Sequence, residues 1–365
     1  MATGFFHDER CLWHGGGNYA QMAPVGGLVQ PIAGGGGLPE EPETKRRLVN
    51  LMRVTGLMGE LDVRSAAPLT REDLLRVHPA AYLDEFARLS EAGGGELGPR
   101  APFGPGGYDI AALSAGLVAD AVEAVLAGDL DNAYALSRPP GHHALPDRPN
   151  GFCLLANIAL AIRRAQARGL ARRFAVLDWD VHHGNGTEAI FLDDPDVLTV
   201  SLHQERNYPL DTGGFEVRGP AGTNLNVPLP PGCGHATYLE AMERLALPRL
   251  RAFAPDALIV ACGFDAATPD PLGRMMATAG TFTAMTRQVM DLAADVCGGR
   301  LILAHEGGYS EVYVPFCGHG VIATLAGSRT QAPDPFAETF ARRQPGAEFE
   351  GFASARIAAM AEALQ

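Results

Sequence analysis

The sequence predicts an α/β fold, with a central, mostly parallel sheet covered by helices on both faces. Three observations carry this expectation. First, short apolar runs end in polar residues at "NAYALSRPPGHH" (132–143), "RFAVLDWDVHH" (173–183), "DVLTVSLHQ" (196–204), "ALIVACGFD" (257–265) and "RLILAHEGGY" (300–309). Runs this short, unalternating and rich in Val, Ile and Leu suit strands buried on both faces, as parallel strands are. Second, helix-like stretches at 109–128, 154–169 and 236–253 alternate with them, and strand–helix alternation builds a parallel sheet through crossover helices. Third, the chemically capable residues gather where the apolar runs end. In such sheets ligands bind outside the carboxyl ends of the strands, so several loops should converge on one pocket.

Bulk composition narrows the function classes. The 365 residues are 47% hydrophobic and 19% charged, ordinary for a chain with a large core. The formal charge of −13 argues against nucleic acid as a partner, because phosphate binding needs a basic face. Cys11, Cys153, Cys233, Cys262, Cys297 and Cys317 are scattered without a Cys-x-x-Cys pair, which disfavours a cysteine metal cluster or a disulfide framework. The opening residues lack the basic and apolar regions of a secretion signal, and no apolar run approaches the roughly 18 residues needed to span a membrane. A cytoplasmic protein without a membrane partner is expected. We read residues 1–365 as one domain, with long Gly-rich loops at 14–42 and 91–107 that could line a pocket mouth or mediate homodimer or homotetramer contacts.

The segment "VLDWDVHHGNGT" (176–187) crowds Asp178, Asp180, His182 and His183 at one strand end. Residues two apart in an extended segment project to the same side, so Asp180 and His182 can offer two donor atoms to one cation. A zinc site of catalytic type uses three protein ligands and leaves a position open, and Asp265, ending its own apolar run, is a natural third. A lone Asp-x-His more often caps a helix or packs in the core; here the surrounding residues favour a site. In "RPPGHHA" (138–144) the Pro-Pro-Gly lead-in lets both His142 and His143 face a pocket, where a neutral imidazole can move a proton. In "HEGGYSEVYVPF" (305–316) the glycines let the backbone come close and project Tyr309, whose hydroxyl can donate to a developing oxyanion.

Taken in order, "RPPGHHA", "GFCLLAN", "VLDWDVHHGNGT", "TVSLHQ", "NVPLPPG", "GFDA", "DPLGRM" and "EGGYS" resemble the histone deacetylase family of zinc amidohydrolases, over about residues 40–330. The Arg-Pro-Pro-Gly-His-His form is similar to its class II branch and to bacterial histone-deacetylase-like amidohydrolases. The resemblance implies an arginase-deacetylase fold and hydrolysis of acyl amides of the acyl-lysine type, sensitive to hydroxamate inhibitors. It implies that Asp180, His182 and Asp265 hold zinc (Zn2+). His143 would act as general base and then general acid, His142 would assist, and Tyr309 would polarise the scissile carbonyl. Asp178 would orient His142. With Asp180, His182, Ser201 and Leu202 it would also form a structural potassium (K+) site. Gly151 and Phe152 match one wall of the acyl tunnel and Tyr208 the aromatic wall opposite, where most relatives carry Phe. Asn185, where class I relatives have an acid next to the second histidine, follows the class II pattern and bears on the proton affinity of His143; His183 alternates away from the site and takes a packing or supporting role. Leu272 stands where polyamine-preferring relatives have a Glu, which places an acetylpolyamine below a general acyl amide as substrate. Two rivals are a two-metal ureohydrolase, which would want more acids than Asn185 and Gly186 supply, and a non-catalytic acyl-lysine-binding module, which could have lost Tyr309 or a histidine.

Overall fold

Eight strands form one sheet in which every neighbouring pair is parallel: β1 (Thr3–Phe6), β2 (Asp62–Arg64), β3 (Asn132–Ala135), β4 (Phe174–Asp178), β5 (Val197–Gln204), β6 (Asn224–Leu229), β7 (Ala257–Cys262) and β8 (Leu301–His305), in the order β6-β5-β4-β7-β8-β3-β1-β2. The computed structural model describes residues 2–15, 19–20, 23–24 and 39–364. Most of the 14–42 segment therefore lies outside the described residues. Among the described residues no helix is long and apolar enough to cross a membrane.

The five apolar runs become β3, β4, β5, β7 and β8, all buried along their length. Successive side chains of a strand point to opposite faces, so these runs divide between two cores. Ala175 and Leu177 of β4, Val200 of β5 and Val260 of β7 pack with helices Glu43–Thr55, Ala279–Cys297 and Val314–Leu325. Phe174, Val176, Val197 and Ile259 face the other way, onto helices Gly107–Leu126 and Asn157–Ala167. Each fully buried aliphatic side chain contributes about 1.5–3 kcal/mol, and both faces of the sheet need covering for that gain. The expected helix at 236–253 is observed as His235–Ala241, a π turn over Met242–Ala246 and Leu247–Phe253. Residues 91–107 are not irregular throughout. They leave helix Ala80–Glu91, pair Gly95–Glu96 with Pro102–Phe103 as a short antiparallel hairpin, and enter the helix that begins at Gly107.

The topology decides where a site can form. From β4 the chain continues to its neighbour β5, whereas from the adjacent β7 it continues to β8 on the opposite side. Connections that leave in opposite directions open a crevice at the carboxyl ends of the two strands. Asp178 ends β4 and pairs with Ala261 near the end of β7, so the segments that follow both strands emerge side by side over that crevice.

Candidate active site

Asp180 and His182 follow β4, and Asp265 follows β7. Their donor atoms lie within 4.8 Å of one another, fully or nearly buried. The backbone holds both oxygens of Asp180 and one of Asp265: Asp180 Oδ2 accepts the Gly307 N–H at 2.7 Å, Asp180 Oδ1 the His182 N–H at 2.9 Å, and Asp265 Oδ1 the Val181 N–H at 2.8 Å. Asp180 Oδ1 and Asp265 Oδ2 both stand 3.0 Å from His182 Nδ1. That nitrogen is directed at Asp180, and Asp265 Oδ2 is left buried without a hydrogen bond. Two buried carboxylates this close cannot both ionise cheaply without a cation. Accordingly the Asp265 carboxyl is pushed up to about 6, by burial first and the Asp180 charge second. Burial also opposes ionisation of Asp180, but the His142 and His182 imidazoles outweigh it and hold its pKa low. Two oxygens and one imidazole nitrogen around a shared point fit a zinc ion. A side chain at Gly307 would put its Cβ 2.2 Å from Asp265 Oδ2, which is why the backbone there must be glycine.

A second cluster of donor atoms, His142, Cys153 and Glu306, also converges. Burial, reinforced by the Glu306 charge, keeps the Cys153 thiol protonated, and a protonated thiol is a poor ligand. This cluster instead organises the paired histidines. His142 Nδ1 lies 2.9 Å from Asp178 Oδ2. Burial disfavours its charge, yet Asp180 and Asp178 together raise its pKa well above the ordinary value. His143 Nδ1 lies 2.7 Å from Asn185 Oδ1, a neutral acceptor. Burial and then the neighbouring His142 charge press the His143 pKa well below the ordinary value. One imidazole is thus kept charged and the next neutral, although both are buried.

His143, His182 and Tyr309 close the inner end of a cavity of about 430 Å³, whose walls are Gly151, Phe152, Tyr208 and Leu272, with Arg100 and Asn207 also lining it. Tyr208 stands edge-on to His143 with ring centroids 5.0 Å apart, and Phe152 edge-on to Tyr309 at 5.8 Å. Tyr208 thus lies opposite the Gly151–Phe152 wall, and its hydroxyl bonds the Asn150 side chain. Gly151 has φ +48°, and a Cβ there would come within 2.7 Å of both His143 and Tyr208. Gly151→Ala should therefore displace one wall and lower kcat/KM by more than about tenfold, since strain and overpacking of this kind cost about 1–3 kcal/mol. Steady-state kinetics beside zinc content checks it. A variant as active as the parent would show that the wall yields freely.

Several residues that sequence reasoning passed over complete the site. Glu306 Oε2 accepts the N–H groups of Gly141 at 2.7 Å and His142 at 3.1 Å, which fixes the turn carrying both histidines. Burial pushes its pKa up to about 7, against the pull of His142. Asp270 accepts the N–H groups of Tyr309 at 2.8 Å and Leu272 at 2.9 Å. An acid directly after a buried strand in "HEGGY", and another opening "DPLGRM", were the available signals. His183 does not line the cavity. It faces Glu188 at 3.3 Å, stacks near His203 and reaches Thr212, while its N–H holds the Tyr208 carbonyl at 3.1 Å. On the far side of Asp178, Ser201 pairs with it across β4 and β5, and Leu202 is fully buried beside it in sequence.

Residues 38–325 match the histone deacetylase domain model. The chain is 55% identical over 362 residues to a histone deacetylase-like amidohydrolase of Pseudomonas aeruginosa, covering 98% of this chain and 95% of that protein. It is 36% identical over 298 residues to a probable deacetylase of Archaeoglobus fulgidus, covering 79% and 82%. The crystal structure of the HDA15 HD domain superposes with a TM-score of 0.80 at 31% identity, covering 100% of this chain and 98% of that one. The parallel sheet, the site at its switch point and these likenesses agree that the chain belongs to the histone deacetylase family, with the arginase-deacetylase fold and the hydrolytic, deacylating character of that family.

Proposed function

We propose that this chain is a zinc-dependent amidohydrolase that cleaves N-acyl amides of the acyl-lysine type. The observation that carries the reading is the convergence of three donors for a cation, one of which, His182, lines the inner end of the cavity beside a neutral imidazole and a phenol. Asp180, His182 and Asp265 would hold the zinc. Bound there, it supplies a Lewis acid for the amide carbonyl and lowers the pKa of the attacking water.

The chain's own residues do the rest. Asn185 Oδ1 accepts from His143 Nδ1, which leaves His143 Nε2 free as a base. His143 takes a proton from the attacking water, then hands it to the nitrogen as the C–N bond breaks, releasing amine and carboxylate. Tyr309 donates to the carbonyl oxygen as negative charge grows on it. Burial, and then Asp265 and Asp180, raise its pKa, so the phenol keeps the proton it must donate. His142, held by Asp178, keeps positive charge beside the reacting centre. Asp178, Asp180, His182, Ser201 and Leu202 are the residues that would hold potassium behind the site. The alkyl chain that leads outward from the amide nitrogen would lie between Phe152 and Tyr208.

The depressed pKa of His143 gives a signed prediction. Its base form is populated at neutral pH and is lost only as pH falls through the lowered value. The acid limb of kcat/KM for the zinc-loaded protein should therefore lie below the ordinary histidine value of 6.5. A limb above that value would assign the titration to another group. The reading as a whole is tested with fluorogenic acyl-lysine, acylpolyamine and anilide substrates, with and without chelator and hydroxamate. Chelator-sensitive, hydroxamate-blocked turnover supports it. Silence on every substrate with stoichiometric zinc bound would leave a binding role.

A further inference from the structure

The outer end of the cavity carries a cation, Arg100, that makes no ion pair among the described residues, although Glu96 of the same hairpin accepts the N–H of Ala101, next to it in the chain. Arg100 sits in the tip of the 95–103 hairpin, which is tied to the cavity wall by two backbone hydrogen bonds: Gly151 N–H to the Pro99 carbonyl at 3.0 Å and Phe152 N–H to the Arg100 carbonyl at 2.8 Å. Its backbone is left-handed, with φ +58°, a conformation an arginine adopts only where its surroundings impose it. The guanidinium carbon stands 5.1 Å from the centroid of the Tyr208 ring, and the side chain lines the cavity. No ion pair to Arg100 occurs among the described residues, and no Asp or Glu is among the residues lining the cavity. His143 and His182 are buried at the inner end, whereas Tyr309, Arg100, Asn207 and Leu272 are half-buried. A substrate with its acyl group inward would therefore meet Arg100 with its amine portion.

We infer that Arg100 selects acyl amides whose amine portion carries a carboxylate, over cationic amides such as acylpolyamines. This rests on the deacylase reading above. A guanidinium offers a planar fork that matches a carboxylate through two parallel hydrogen bonds. The aromatic face of Tyr208 that a substrate ammonium could use is already taken by Arg100. Leu272 places an apolar group on the same rim and adds no attraction for a cation. The net charge of −13 repels anions at long range. At physiological salt that field is screened beyond about 8 Å, and the group at the mouth decides.

The test compares kcat/KM of the zinc-loaded protein on Nε-acetyl-lysine with a free α-carboxylate, its α-carboxamide, acetylcadaverine and acetylspermidine. The carboxylate should exceed the carboxamide by about tenfold or more, as expected for a charge-assisted contact, with acetylspermidine the poorest. Arg100→Ala should bring the carboxylate-to-carboxamide ratio towards one, Arg100→Glu should invert the order towards acetylspermidine, and Arg100→Lys should retain part of the preference. Hydrolysis of all four with no carboxylate preference, or a preference that survives Arg100→Ala, overturns this inference and leaves the deacylase reading standing. If none is hydrolysed with zinc bound, the deacylase reading fails. Calorimetric binding of acetyl-lysine and its carboxamide to wild type and Arg100→Ala then decides the anion site alone: equal binding overturns it, and tighter, Arg100-dependent binding of the carboxylate upholds it.

Discussion

Asp265→Asn empties the metal site and takes turnover to background. The substitution keeps the shape of the side chain, and its remaining oxygen can still accept the Val181 N–H that Asp265 Oδ1 accepts at 2.8 Å. What disappears is one of two negative charges around His182 Nδ1. Disturbing a mere supporting partner of a ligand costs about 10–100-fold in metal affinity, and removing a charged ligand costs more. Elemental analysis of dialysed protein reads the loss directly, and thermal melts separate it from misfolding. Without metal, Asp265 is held near a second buried carboxylate and its pKa is raised. The neutral asparagine relieves that repulsion, so metal-free Asp265→Asn should melt at or above metal-free wild type. Added zinc should raise the melting temperature of wild type alone. Normal zinc content and turnover in the variant would remove Asp265 from the site.

Tyr309→Phe lowers kcat by about 10²–10³-fold, the scale of about 2.7–4 kcal/mol for one oxyanion donor. The ring keeps its edge contact with Phe152, and the backbone keeps its hydrogen bond to Asp270, so pocket shape and zinc content should not change. Since the lost contact strengthens only as charge develops on the substrate oxygen, the loss should fall on kcat far more than on KM. A loss confined to KM would make the phenol a ground-state contact. Unchanged turnover would remove Tyr309 from the mechanism.

Much of this site is legible without coordinates because the chain writes it in local spacing. Asp180 and His182 are two residues apart beyond a strand end, a spacing that in an extended segment puts both on the same side. His142 and His143 follow a Pro-Pro-Gly turn, and two glycines precede Tyr309. Glu306 and Asp270 were missed because their work is done on backbone N–H groups distant in sequence, at Gly141 and His142 and at Tyr309 and Leu272. No local pattern announces such a contact. His183, expected to pack or to support the site, points away from the cavity towards Glu188, His203 and the segment that carries Tyr208.

The strands divide in the same manner. The five long apolar runs announce themselves by composition, whereas β1 is four residues at the chain start, β2 is Asp-Val-Arg at the sheet edge with Val63 about half exposed, and β6 contains a proline. Of these only β2 is exposed, and its composition carries little signal for that reason; β1 and β6 are buried, but β1 is short and the proline in β6 obscures its pattern.

By itself the sequence determined the fold class, the two cores and the chemical types at each strand end, because periodicity and residue identity are local properties. Only the tertiary structure decided that β4 and β7 are neighbours leaving the sheet in opposite directions. That adjacency brings Asp265 to Asp180 and His182, and pairing across the chain alone sets which imidazole is charged and where Arg100 stands. Local spacing can name the groups, but their distances, burial and mutual charge exist only once distant segments are packed together.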